Sequence, residues 1–63
     1  MSMREALETF EGRTIHVQVT GAPSAMMGLL ISVANDWFIM TTVNSEMQYF
    51  DMTKLITFWP AKD

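Results

Sequence analysis

Catalysis and metal binding need nucleophiles, bases or ligands at fixed spacing, and this chain of 63 residues carries few of them. It has no cysteine and one histidine, His16. Without cysteine there is no disulfide and no thiolate metal ligand, and one imidazole does not make a metal site. His16 stands between Thr14 and Gln18, with no serine, cysteine or acid brought to it by spacing, so it reads as a surface histidine. No glycine cluster would cradle a phosphate, and no carboxylate pair has a fixed partner. The chain is expected not to be an enzyme and to hold no cofactor. Two short polar segments remain. Asn35-Asp36-Trp37 sets an indole beside a turn, where it could stack on a base. Asp51-Met52-Thr53-Lys54 offers an ammonium for a phosphate and a carboxylate for a cation. The plainer accounts are a tight turn leading into a core aromatic, and a solvated corner with an Asp51–Lys54 pair worth ~0–1 kcal/mol.

Both segments must be positioned by something small. A domain of this size buries only roughly 60% of the surface of its unfolded chain. Such domains are usually reinforced by disulfides, a metal or oligomerisation. The first two are missing from the sequence, and the composition agrees with the third. Hydrophobic residues make up 49% and charged residues 17%, against an average charged share of about 25%. The net charge is −3. The basic residues Arg4, Arg13, Lys54 and Lys62 are scattered, so there is no basic patch of the kind phosphate neutralisation needs. A ring could still gather one lysine per subunit at its centre. No apolar run reaches the ~18 residues of a membrane span, and Glu5 and Glu8 are out of place in a signal peptide. A cytoplasmic protein that does not engage membranes is the expectation.

Periodicity divides the chain. Ser2 and Glu5 have capping-box spacing, and Met3, Leu7 and Phe10 share one helical face. This predicts a short helix ending at Gly12, a good left-handed terminator. From Arg13 the period becomes two. Ile15, Val17 and Val19 alternate with polar neighbours, as in a half-buried strand. After a Gly21–Ser24 loop, residues 26–34 form a second strand containing Gly28, where a bend or a close backbone approach is expected. Asn35-Asp36 turns the chain into a third strand over 37–43. Asn44–Glu46 turns it into a fourth over 47–51, and Thr53-Lys54 makes the corner to a fifth over 55–59. Pro60 is expected to end that strand and residues 60–63 to form a tail. The whole, 1–63, is one domain: helix 1–12, then a barrel over 13–59. Between Met26 and Thr42 lie seventeen residues and one charge, Asp36. The second and third strands therefore need cover on both faces, and another copy of the chain is the expected source. The seven methionines are read as core or interface packing.

A helix, five short antiparallel strands and a glycine bend in the second strand resemble the Sm-like family, over roughly Ser2 to Trp59. Gly28, Leu30 and Val33 match the spacing of that family's first motif. The family's aspartate falls at Ala34 here, with Asp36 two residues later. Phe38 or Ile39 with Met40, and Leu55 with Phe58, resemble the apolar positions that follow. The basic-glycine pair of the second motif is replaced by Asp51-Met52-Thr53-Lys54, and the bacterial chaperones' tyrosine-lysine-histidine-alanine run is absent. An SH3-like barrel has nearly the same strand pattern and is the alternative.

The Sm-like resemblance implies an all-β, open five-stranded barrel that forms homo-oligomeric rings, the fourth strand of one subunit pairing with the fifth of the next. On that reading Met47, Tyr49, Phe50, Leu55, Thr57, Phe58 and Trp59 make the interface. Asn35, Asp36, Trp37 and Lys54 would face the pore and meet single-stranded RNA. The competing expectation is a structural or adaptor oligomer without nucleic acid, and a weaker one an SH3-like peptide binder.

Overall fold

The computed structural model describes residues 1–62, and in it the change of period near Arg13 is the change from helix to sheet. Helix α1 is Met3–Glu8. The Ser2 hydroxyl accepts the Glu5 N–H at 3.1 Å, and the Glu5 carboxylate accepts the Ser2 N–H at 2.9 Å, so the capping box is formed. Regular helix stops at Glu8, short of Gly12. Phe10 and Glu11 donate to Leu7 and Glu8, three residues back, which tightens the chain into turns. Gly12, at φ +86°, then takes the left-handed conformation that turns the chain towards the sheet. Leu7 is fully buried and Met3 exposed. Phe10 meets Phe58 edge to face at 5.4 Å.

The strands are β1 (Thr14–Val19), β2 (Met26–Val33), β3 (Trp37–Thr41), β4 (Met47–Asp51) and β5 (Leu55–Pro60). They form one open antiparallel sheet in the order β4-β3-β2-β1-β5. Strand β2 serves both halves: Met26–Leu29 pair with β1, and Leu30–Val33 with β3. Gly28 sits at the change. A Cβ there would overlap the Thr41 carbonyl oxygen and lie 3.1 Å from Met40 Cε. The close backbone approach expected of this glycine is present. Two register shifts sharpen the curvature, one leaving Ile31 as an extra residue on β2, the other Ile56 on β5.

Connectivity shows that the sheet curls. Edge strands β4 and β5 are joined by only the 3₁₀ turn Met52–Lys54. In a flat sheet they would lie about 19 Å apart, four spacings of ~4.8 Å. Three residues of 3₁₀ helix rise about 6 Å. The sheet must therefore roll until its edges approach at that corner. The Thr20 N–H donates to the Lys54 carbonyl at 2.8 Å and fastens it. No ladder joins β4 to β5, so each keeps a free edge. The core inside the curl is Leu7, Ile15, Val17, Leu30, Phe38, Met40 and Phe50, with Phe38 stacked on Phe50 at 4.9 Å.

Three strand ends differ from expectation. Strand β2 stops at Val33, one residue before the Asn35-Asp36 turn, and the Ala34 N–H closes the hairpin on the Trp37 carbonyl at 2.8 Å. Strand β3 stops at Thr41, because Thr42 organises the next turn. Its hydroxyl accepts the N–H groups of Asn44 and Glu46 at 3.2 and 3.3 Å, and Ser45 takes φ 62°. Strand β5 continues through Pro60, which pairs with Ile15. Proline is tolerated there because an edge strand has a ladder on one side only. Ala61, expected in a loose tail, donates to the Thr14 carbonyl at 3.0 Å. Asp63 lies outside the described residues.

Candidate functional site

Three surfaces could bind something: one end of the sheet, its two free edges, and a cleft beside β4. The first is built by a hydrogen bond between loops. The Met52 N–H donates to the Asp36 carbonyl at 3.0 Å, tying the β2–β3 turn to the 3₁₀ corner. Trp37 and Asp51 face each other across β3 and β4. Asn35, Asp36, Trp37, Asp51 and Lys54 thus lie at one end of the molecule. Trp37 is not a core residue. It is 39% exposed on the convex face, tilted at 55° to Tyr49 with centroids 5.6 Å apart.

The electrostatics of this end follow from local bonds. Asp51 Oδ1 accepts the Thr53 hydroxyl at 2.8 Å and the Thr53 N–H at 3.0 Å. The hydroxyl bond first, and the N–H bond next, hold its pKa below the ordinary aspartate value. The Asp51–Lys54 pair weighed as the plain account is not formed. Among the described residues the one ion pair is Arg4–Glu8, at 2.7 Å. Lys54 is exposed. This end therefore presents an indole, an ammonium, an amide and two carboxylates. It can stack and hydrogen-bond. No group of three or more metal-ligating side chains occurs among the described residues.

The edges divide the seven expected interface residues. Met47, Tyr49, Thr57 and Trp59 are exposed. Trp59 lies flat on His16, with centroids 5.1 Å apart and planes 15° from parallel, so this histidine is partly covered by its neighbour on β5. Phe50 is buried, and Leu55 and Phe58 pack against the same core. These three offer a partner their backbone more than their side chains.

The cleft was not foreseen. It measures about 270 Å³ and opens beside β4, with Met26, Met40, Gln48 and Phe50 along it and Thr41, Thr42 and Val43 at the β3–β4 turn closing one end. Its signal in the sequence was the crowding of methionines on strands, which shows packing need without saying where. A structural role for Glu11 was also missed. Its carboxylate accepts the Val33 N–H at 2.8 Å and anchors the helix exit to β2. No helix among the described residues is long and apolar enough to cross a membrane. No protein-family model, no curated protein and no solved structure matches this chain.

Proposed function

We propose that this chain is a self-assembling ring protein of the Sm-like kind, in which β4 of each subunit pairs with β5 of the next. One observation carries the reading: the sheet has two free edges, and both expose large apolar side chains. Strand β5 has no charged residue and exposes Ile56 and Trp59, while β4 exposes Met47 and Tyr49 and carries one charge, Asp51, at its last residue. Free edges with little charge along them and no covering element pair with another chain. The strand order fits both barrels; the helix preceding the sheet and the close backbone approach at Gly28 are what favour the Sm-like reading over the SH3-like one. The test is solution mass by sedimentation equilibrium at micromolar concentration. A single closed oligomer is expected, and a stable monomer rejects the reading.

A second reading adds single-stranded RNA as the ring's ligand. It is favoured by the Met52–Asp36 bond, which holds Asn35, Trp37 and Lys54 at one end. Repeated around a ring, Trp37 would stack on bases, at about 1–3 kcal/mol each. Asn35 would hydrogen-bond base edges and Lys54 would meet phosphate. Asp36, Asp51 and the net charge of −3 oppose a polyanion. Filter binding of uridine- and adenosine-rich oligonucleotides at low salt decides. Retention that Trp37→Ala abolishes supports RNA, and no retention leaves a structural or adaptor ring.

A further inference from the structure

Four of the eleven charged side chains flank the two free edges of the sheet. Of the four basic side chains, Arg4 is paired with Glu8, and Arg13 lies over the Phe10 ring, 5.0 Å from its centroid. The other two, Lys54 and Lys62, are exposed and bracket β5. The opposite edge is bracketed by acids: Glu46 precedes β4, and Asp51 is its last residue. Glu46 is exposed, and Asp51 spends only Oδ1 on Thr53, leaving Oδ2 free. Between the brackets both edges are uncharged.

We propose that these four charges set the direction of self-association. Strand β5 of one copy docks antiparallel on β4 of another, with Lys62 near Glu46 and Lys54 near Asp51. The inference rests on the edge-pairing reading above and adds what chooses the partner edge. Two copies can join edges in three ways. An antiparallel β4–β4 contact sets Glu46 against Asp51 twice, and a β5–β5 contact sets Lys54 against Lys62 twice. Like charges brought together in an interface penalise the wrong partner. Only β4–β5 opposes unlike charges. The two rejected contacts are two-fold and stop at a dimer, whereas β4–β5 is head-to-tail and closes into a ring by rotation. The antiparallel sense follows the four ladders within the sheet and is the stronger pairing per residue. The lengths are compatible. Glu46 to Asp51 is five residue steps and Lys54 to Lys62 is eight. The surplus, about 10 Å at ~3.4 Å per residue, divides between the two ends. Each lysine then overshoots its acid by a distance its flexible stem can recover.

The test is a charge-reversal cycle on the full chain, avoiding Asp51 because it caps the corner. Wild type, Glu46→Lys, Lys62→Glu and the double variant are diluted, and the midpoint of dissociation is read by light scattering. Circular dichroism checks that each stays folded, as expected for two exposed positions. Each single reversal should raise the midpoint about threefold to tenfold. The double variant, its charges again complementary, should return to within about twofold of wild type. Singles that behave as wild type overturn the proposal. So does a double variant worse than either single, which is the result that parallel docking gives. A wild type that never assembles instead rejects the edge-pairing reading, and the two failures are told apart by wild type alone.

Discussion

Gly28 is the residue on which the bend of β2 depends. Its place was legible because a glycine inside an apolar strand has few reasons to be there. The reason here is the Thr41 carbonyl, which occupies the space a Cβ would need. Backbone cannot rotate away as a side chain can. Gly28→Ala should therefore cost about 3 kcal/mol, the upper range for overpacking. Urea unfolding at fixed protein concentration would show it as a lower midpoint with an unchanged slope; a shift below about 0.5 kcal/mol would contradict the bend argument. Asp51 makes a second prediction. Its pKa is lowered by Thr53, so the bound state favours the carboxylate. That contribution is present above the ordinary aspartate pKa of about 3.9 and is lost as pH falls through the lowered value. Thr53→Ala removes the hydroxyl donor and keeps the N–H. Carboxyl NMR titration should show the Asp51 pKa rising towards its ordinary value without reaching it. An unchanged pKa would mean that the hydroxyl bond is not the main cause. Glu11 was illegible at this scale, because its partner Val33 is 22 residues away and no local pattern links them.

At the level of elements, type was readable and ends were not. The switch from a period near 3.6 to a period of 2 at Arg13 separates α1 from the sheet, and every expected strand exists. The ends are set by single hydrogen bonds, such as those of the Thr42 hydroxyl, which periodicity does not carry. Strand β3 shows why alternation was obscured in the sequence. Phe38 and Met40 face the core, yet Ile39 on the opposite side is only 6% exposed, opposite Tyr49 on β4. The convex face has begun a small apolar cluster of its own, which also explains why Trp37 looked like a core residue. Helix α1 has the reverse problem: it is legible but cannot stand alone, since six residues are too few for a stable isolated helix. It is held by Leu7 and its capping box. Leu7→Ala should cost about 2–5 kcal/mol and Ser2→Ala about 1 kcal/mol in denaturant unfolding. Equal effects would mean that the cap, not the buried leucine, docks the helix.

At the scale of the molecule, area alone does not argue for a partner. The chain exposes 4158 Å², close to the ~4,100 Å² expected of a folded monomer of its mass. What argues for one is which groups are exposed: two free edges, apolar side chains on both, and a cleft beside one of them. In the proposed ring, antiparallel addition turns the incoming strand over relative to the receiving sheet. The convex side of β5 then continues the concave side of β4. Trp59 is on that convex side, stacked on His16, and the concave side beside β4 holds the cleft of Met26, Met40, Gln48 and Phe50. The indole of one subunit would roof the cleft of the next, as a buried aromatic anchor does at an interface centre. Trp37, at the loop end, would not take part. Trp59→Ala should therefore raise the dissociation midpoint at least about 30-fold, the effect of losing a ~2 kcal/mol anchor. Trp37→Ala should leave it within about threefold. The loss of the His16 stack, about 0.5–1.5 kcal/mol, lowers stability in both subunit and ring, so folding is checked separately by circular dichroism. The opposite ranking, with Trp37 critical and Trp59 dispensable, would place the subunit contact on the loop end and remove β5 from it.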